Sequence, residues 1–282
     1  MKDKCPVDIE LIYNDHIVRK NEENYKERYV GKENHYHASG AGTCSRKLYY
    51  ESVELAPTTN PANEKSSRIM RLGTIVHDDL QKALSDTTIY SNTTSSNTTY
   101  EESIYDTIYE ESIYSKEKDI YNIQKENFKY HIEGEVIIES LNVRGFYDLV
   151  AVSDIDGCVH LIDFKTMASY SWSRKFGYKN RDPYASIHQE LQLGTYGLAI
   201  QEKFGRLDSM WLYYYNKDNS QMRSYQVPMV MLERAKAFWT NVNEEHKKGL
   251  PMFREKISPV EDWNCNYCRF LDHCKPPFFK KK

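Results

Sequence analysis

The sequence predicts an α+β (α/β) fold, a mixed β-sheet flanked by helices, and three patterns point there. Apolar residues follow a helical period over residues 67–84 and an alternating period over residues 131–166. A second helical stretch, 184–204, then leads into a strand pair and a last helix. At 282 residues, 40% hydrophobic and 13% aromatic, the chain can bury a full core, and we read residues 1–282 as a single domain.

Each element has its own warrant. Ser67 to Leu84 reads as a helix because Ile69, Leu72, Val76, Leu80 and Ala83 fall at i, i+3, i+7, i+11 and i+14. The tract 85–125 is foreign in composition: Ser, Thr, Asn and Tyr dominate, and Glu-Glu-Ser-Ile-Tyr occurs at Glu101–Tyr105 and again at Glu110–Tyr114. Its Ile-Tyr pairs are too irregularly spaced for a solenoid, so it reads as a low-complexity insertion that need not pack. His131–Glu139, Asn142–Val152 and Cys158–Thr166 read as strands, with Asp154–Gly157 as the turn between the last two. Tyr184–Phe204 is helical, Asp208–Tyr215 and Met222–Val227 form a strand pair, and a helix runs from about Met229 to Lys248.

Composition excludes some function classes. No apolar run approaches the roughly 18 residues of a membrane span, and residues 1–20 mix charges with short apolar pairs, unlike a signal peptide. The expectation is an intracellular protein. Six cysteines in a reducing compartment argue for metal ligation over disulfides. The net charge of −3 argues against a nucleic-acid binder until its distribution is read: residues 85–125 carry −5, which leaves +2 elsewhere and room for local basic patches.

Chemistry concentrates on the predicted strands. Asp163 and Lys165 alternate onto one face of Cys158–Thr166, beside Val159 and Leu161. On the preceding strand, Asp148 closes Gly145-Phe-Tyr-Asp148. A two-residue hairpin loop at Asp156-Gly157 pairs Asp148 with Lys165, and one at Ile155-Asp156 sets it opposite Asp163; both put the three groups on one face. Opposed carboxylates repel unless a cation lies between them, and carboxylate oxygens favour Mg2+ or Mn2+. Alone, Asp163-Phe-Lys165 also reads as a solvated edge with Phe164 turned inward. Upstream, Gly73 and His77 share a helix face, Gly73 clearing room for a ligand or another backbone. Downstream, Gln192 and Tyr196 lie at i, i+4. Taken singly, His77 reads as a half-buried histidine bonded to a carbonyl, and Gln192 with Tyr196 as an exposed polar face.

Taken in order, Gly145-x-x-Asp148 and Asp163-x-Lys165 resemble the PD-(D/E)XK nuclease signature, with Tyr147 where many members carry Pro. Gly73-x-x-x-His77 before them and Gln192-x-x-x-Tyr196 after them are similar to the flanking motifs of the RecB-like exonuclease branch. The resemblance spans Cys44 to Cys274. It implies a restriction-endonuclease-like core, His77 ligating metal beside Asp148 and Asp163, a catalytic Lys165, and Gln192 and Tyr196 lining the site.

Cys265-x-x-Cys268 and Cys274 place three thiols within ten residues, and three ligands need a fourth. Cys44 is the best candidate, because Cys158 faces away from Asp163 on its strand and Cys5 sits in a loose terminus. One-plus-three spacing resembles the CRISPR-associated iron–sulfur exonucleases related to RecB, which implies a [4Fe-4S] cluster joining residue 44 to 265–274. Zn2+ is the alternative occupant of four thiolates. Such a clasp closes a loop worth about 4–5 kcal/mol on a chain-entropy model. Arg46, Lys47 and Arg269 would lie beside it, holding phosphates or pairing with acids.

The resemblance implies metal-dependent hydrolysis of DNA, by exonuclease action on single-stranded ends, in recombination, repair or CRISPR spacer processing, with a recombination or CRISPR adaptation protein as partner and no membrane. Endonuclease cleavage is the alternative within the superfamily. A non-catalytic, zinc-containing DNA-binding or scaffold protein is the rival from another class, and it leaves His77, Asp148, Asp163 and Lys165 unrelated.

Overall fold

The structure is a computed structural model that describes residues 9–55, 63–93, 128–179, 181–182, 184–252, 265 and 268–274, for 87–93 the backbone alone. In chain order the elements are α1 (Ile9–Tyr29), β1 (Tyr36–His37), α2 (Ser45–Ser52), α3 (Glu64–Thr93), β2 (Phe128–Ile138), β3 (Val143–Ser153) and β4 (Val159–Met167). They continue with α4 (Ser169–Phe176), α5 (Ile187–Phe204), β5 (Ser209–Asn216), β6 (Met222–Val227), α6 (Met231–Lys247) and a single turn, α7 (Leu271–Cys274).

The sheet is mixed, as expected. β2, β3 and β4 form an antiparallel meander, β4 and β5 are parallel, and β6 returns antiparallel to β5. A parallel neighbour needs a crossover, and α4 with α5 supplies it. The two faces are covered by different helices. Leu161, Met210, Leu212 and Tyr214 are fully buried on the α5 side, in one core with Leu193 and Ile200. α3 covers the other face at close range: a Cβ on Gly73 would stand 2.9 Å from Thr166 Oγ1, so glycine lets the helix pass β4 without moving that hydroxyl. α6 closes the α5 layer through buried Trp239, whose indole donates to Thr195 Oγ1 at 2.9 Å.

One edge of β3 is shared. β1 pairs with it in parallel at Val143 and Arg144, and β4 pairs antiparallel from Leu149 to Val152. Residues 145–148 between those ladders face a gap, while β2 lines the whole opposite edge of β3.

Several expectations are corrected. The β3–β4 connection has four loop residues, 154–157, because Ser153 N–H donates to Cys158 O at 2.9 Å and Gly157 takes the left-handed conformation (φ +66). Its register, Leu149 opposite Ile162, is the one a two-residue Ile155-Asp156 loop would also give, since lengthening a hairpin by two residues preserves parity. α3 runs nine residues past Leu84, into the tract read as an insertion; residues 94–127 lie outside the described ones. α5 begins at Ile187, after a turn, where the apolar pattern suggested Tyr184. Helices α1, α2 and α4 were not anticipated. In α1 only Ile17 is buried, so no apolar stripe announces it, and it is held to α3 by polar contacts from Arg68 to Asn14 (2.7 Å) and Glu10 (2.9 Å).

Candidate active site

The four charged residues of the motifs meet at the split between β3 and β4. The β3–β4 ladder ends at Leu149 and Ile162, and continuing its register sets Asp148 opposite Asp163. Strict alternation would then put Asp148 on the face of Asp163 and Lys165, but the alternation slips here. Tyr147 and Val150, an odd number of residues apart, are both in the core, and Glu133 across from the slip on β2 has φ +43. The Asp148 carboxylate consequently lies in the split itself. Its Oδ2 accepts the backbone N–H of Phe164 at 2.7 Å and stands 3.7 Å from His77 Nδ1.

His77 arrives from the α3 side, one turn after Gly73, with its ring packed edge-on against Phe164 at 6.1 Å. Asp163 and Lys165 arrive from the α5 side, aligned with Leu212 and Tyr214 of β5. Asp163 is 2% exposed, Lys165 Nζ stands 2.5 Å from its Oδ2, and that oxygen has no partner in hydrogen-bonding geometry. Tyr196 is buried against Gly145, where a Cβ would come within 2.6 Å of its ring and 2.7 Å of Ala38 Cβ, and it accepts a hydrogen bond from Gln192 Nε2 at 2.9 Å. All six motif residues therefore border one place, and the glycines of two motifs are explained by the close contacts they permit.

The electrostatics are those of a site short of positive charge. Burial and the neighbouring Asp163 charge push the Asp148 carboxyl up to about 8. Burial, and then the Lys165 ammonium, hold His77 below its ordinary value, so its imidazole is neutral and has a lone pair to offer. Burial and Asp163 raise the Tyr196 hydroxyl. Two buried carboxylates and a neutral imidazole are a hard, oxygen-rich donor set that can hold a divalent cation such as Mg2+ or Mn2+.

The family model of the PD-(D/E)XK nuclease superfamily matches residues 35–275. The chain belongs to that superfamily. Its mixed sheet between helical layers is the restriction-endonuclease-like core, and hydrolysis of nucleic acid with Mg2+ or Mn2+ is the activity that membership carries. Among solved structures, the chain is similar to the crystal structure of SSO0001, at 16% identity and a TM-score of 0.47, over 93% of this chain and 96% of that one. It is also similar to a "Putative exonuclease" from Eubacterium rectale, at 15% identity and a TM-score of 0.43, over 86% and 92%. No curated protein matches it. Among the described residues, no helix is long and apolar enough to cross a membrane.

A second grouping lies at the C-terminal end of this PD-(D/E)XK chain. Cys44 caps α2, and Cys268 and Cys274 are half-buried close enough for each thiol to sense Cys44 electrostatically. Burial pushes the Cys268 and Cys274 thiols up, opposed by the Phe270 N–H at Cys268 and by Arg46 at Cys274. Cys265 O accepts the Cys268 N–H at 3.2 Å, which holds the third cysteine beside them. The segment is seated by Phe270, 1% exposed and 5.5 Å from the Tyr50 ring, and by Arg269 on Glu51 at 2.7 Å. The basic residues beside the thiols are engaged: Arg46 donates to Pro251 O and Tyr50 Oη, and Lys47 and Arg269 share Glu51. Cys158 stands apart at the β3–β4 turn, with Arg206 Nη2 3.3 Å from its sulfur. Cys5 lies outside the described residues.

Sequence reasoning missed several residues here. Tyr214 aligns with Lys165 in the sheet and donates to Gln189 Oε1 at 2.8 Å. Behind it lies a buried group of Lys175, Ser186 and Glu190, with Lys175 Nζ 3.3 Å from Glu190 Oε1 and 3.6 Å from the Tyr225 ring centre. Ser186 and Glu190 are four residues apart, but no spacing in the sequence links either to Lys175 or Tyr214. His188 could have been found, four residues before Gln192 on the same helix face.

Proposed function

We propose that this chain is a metal-dependent DNA exonuclease of the RecB-like branch, acting on single-stranded ends. The observation that carries the catalytic reading is the meeting of His77, Asp148, Asp163 and Lys165 at the β3–β4 split, with the buried Asp163 carboxylate held against the Lys165 ammonium. His77, Asp148 and Asp163 would hold one or two Mg2+ or Mn2+ ions. An ion held there would supply charge neutralisation at the phosphate and acidify a nearby water.

The chain's own groups do the rest. The Phe164 N–H fixes the Asp148 carboxylate, so that ligand geometry depends on the backbone of β4. Lys165 carries a positive charge to the same place, where it steers the nucleophilic water or stabilises the pentacovalent phosphate. Gln192 and Tyr196, bonded to each other, form a rigid wall against Gly145 that supports Lys165 or positions the strand. Cys44, Cys265, Cys268 and Cys274 fit a thiolate-bound cluster, and [4Fe-4S] is the occupant we favour over Zn2+, in a structural role.

The deciding experiment is purification without oxygen followed by digestion of end-labelled single- and double-stranded DNA with Mg2+ or Mn2+. Mononucleotides or short fragments released from ends, and their loss in Asp163→Asn, are expected. Cleavage that persists in Asp163→Asn would dismiss the assignment, and cuts within a circular substrate would turn it toward an endonuclease.

A further inference from the structure

α4 and the loop joining it to α5 carry large aromatic side chains in water. Tyr170 is 73% exposed, Tyr178 fully exposed and Tyr184 68% exposed, although α4 has an inward face, occupied by Trp172, Lys175 and Phe176, where such groups could pack. Three exposed tyrosines within fifteen residues are not a by-product of core formation.

The loop folds back on the helix and gathers them. Asp182 N–H donates to Arg174 O at 2.8 Å and the two side chains pair, while Tyr184 N–H donates to Asp182 Oδ1 at 2.9 Å. Arg174 lies one turn after Tyr170, so Tyr184 is drawn to the side of α4 that bears Tyr170, and Tyr178 sits at the helix end. The same segment is basic in a chain whose net charge is −3. Its one acid, Asp182, is taken by Arg174, and Lys179 and Arg181 are exposed with no ion-pair partner among the described residues.

The position also bears on function. α4 starts two residues after β4, the strand of Asp163 and Lys165, and the loop ends at the first turn of α5, where the Lys165 charge acts on His188. The surface thus follows the strand of Asp163 and Lys165 directly along the chain.

We propose that Tyr170, Tyr178 and Tyr184, with Lys179 and Arg181, form a stacking platform for single-stranded DNA, the tyrosine rings taking unpaired bases and the cations the phosphates. Flat rings accept any unstacked base and a duplex offers none, so this surface supplies strand selection without sequence preference. The proposal rests on the nuclease reading only for the choice of polymer, and it is tested separately by binding.

The test uses the full chain carrying Asp163→Asn, so that DNA survives, and fluorescence anisotropy with labelled oligo-dT and with a blunt duplex. Replacing the three tyrosines by alanine is expected to weaken oligo-dT binding about tenfold per stacked base and to change duplex binding by less than about twofold. The same three positions as phenylalanine keep the rings and should bind oligo-dT within about threefold of the parent. Lys179→Gln with Arg181→Gln should flatten the salt dependence by about 0.7 in log–log slope per lost phosphate contact. Unchanged oligo-dT affinity in the alanine variant, equal loss on the duplex, or a phenylalanine variant as weak as the alanine one would each overturn the platform. If the unsubstituted chain cleaves nothing while oligo-dT binding still depends on the tyrosines, the catalytic reading fails and the platform stands.

Discussion

The β3–β4 split and the cysteine grouping are both candidate metal sites, and they are built in opposite ways. At the split, each charged residue is held by regular structure: Asp148 by a backbone N–H, Asp163 and Lys165 by the β4–β5 ladder, and His77 by a helix clamped at Gly73. At the cysteines, the thiols come from a helix cap and a short terminal segment seated by Phe270 and Arg269. In the first, the fold makes the ligand geometry and carries an electrostatic cost for it. In the second, the bound group would complete the fold. Loss of metal should therefore cost activity at one and stability at the other.

The largest expected effect falls on the split. Asp148→Asn, Asp163→Asn and Lys165→Ala should each reduce cleavage by several orders of magnitude while circular dichroism and melting temperature stay close to the parent. Calorimetry should show weaker Mn2+ binding for the two aspartate variants and unchanged binding for Lys165→Ala, since an ammonium cannot ligate a cation. A variant of Asp163 that unfolds would erase the contrast.

The next effect falls on the cysteines. Protein prepared without oxygen should be brown, with iron and acid-labile sulfide, and Cys268→Ser should bleach it and lower the melting temperature more than any substitution at the split. The loop-closure model puts the scale at about 4–5 kcal/mol. Stoichiometric zinc without iron would keep the four-ligand arrangement and remove the cluster.

The split was legible in sequence to an uneven degree. Motif order named His77, Asp148, Asp163, Lys165, Gln192 and Tyr196, and the sheet class followed from periodicity, because a half-buried strand must alternate. The slip at Asp148 was not legible. The β2–β3 register is unbroken across it, so the change of face is a local twist beside the left-handed Glu133, and no residue type announces such a twist. Lys175, Ser186 and Glu190 were invisible for a related reason: a buried ion pair is defined by a cross-element contact, and neither partner has a distinctive neighbour in sequence. α1 escaped because it buries Ile17 and leaves most of its other apolar residues exposed, so no apolar stripe marks it.

Glycine substitutions sharpen the comparison at intermediate size. Gly145→Ala brings a methyl within 2.6 Å of Tyr196 and 2.7 Å of Ala38, both buried, whereas Gly73→Ala meets only the Thr166 hydroxyl at 2.9 Å. The first should lower the melting temperature clearly and cleavage with it; the second should change melting little and reduce cleavage by displacing His77. Equal melting shifts would mean that α3 is as tightly seated as Tyr196.

A smaller effect is readable in pH. Asp148 holds its proton up to about 8 in the folded chain against 3.8 when unfolded, so the folded state binds the proton more tightly. The stability it contributes without metal is full below about pH 4 and is lost as pH rises toward 8. Denaturant titrations in EDTA should show that decline in the parent and not in Asp148→Asn, and Mn2+ should remove it. The smallest effect expected is from deleting residues 94–118 with a short flexible linker, which should leave cleavage within about tenfold because the tract is polar. Loss of folding would count against that reading of its composition.

The gap on β3 has one more consequence. Residues 145–148 leave that side of β3 without a strand, yet Gly145 and Tyr147 are buried and Ala38 and Tyr196 pack against Gly145, so the gap is no open edge. A strand entering here would first have to displace Tyr196 and Ala38 from Gly145. The packing around the gap shields it from edge-to-edge pairing, and Asp148→Asn with Asp163→Asn should sediment as the parent does.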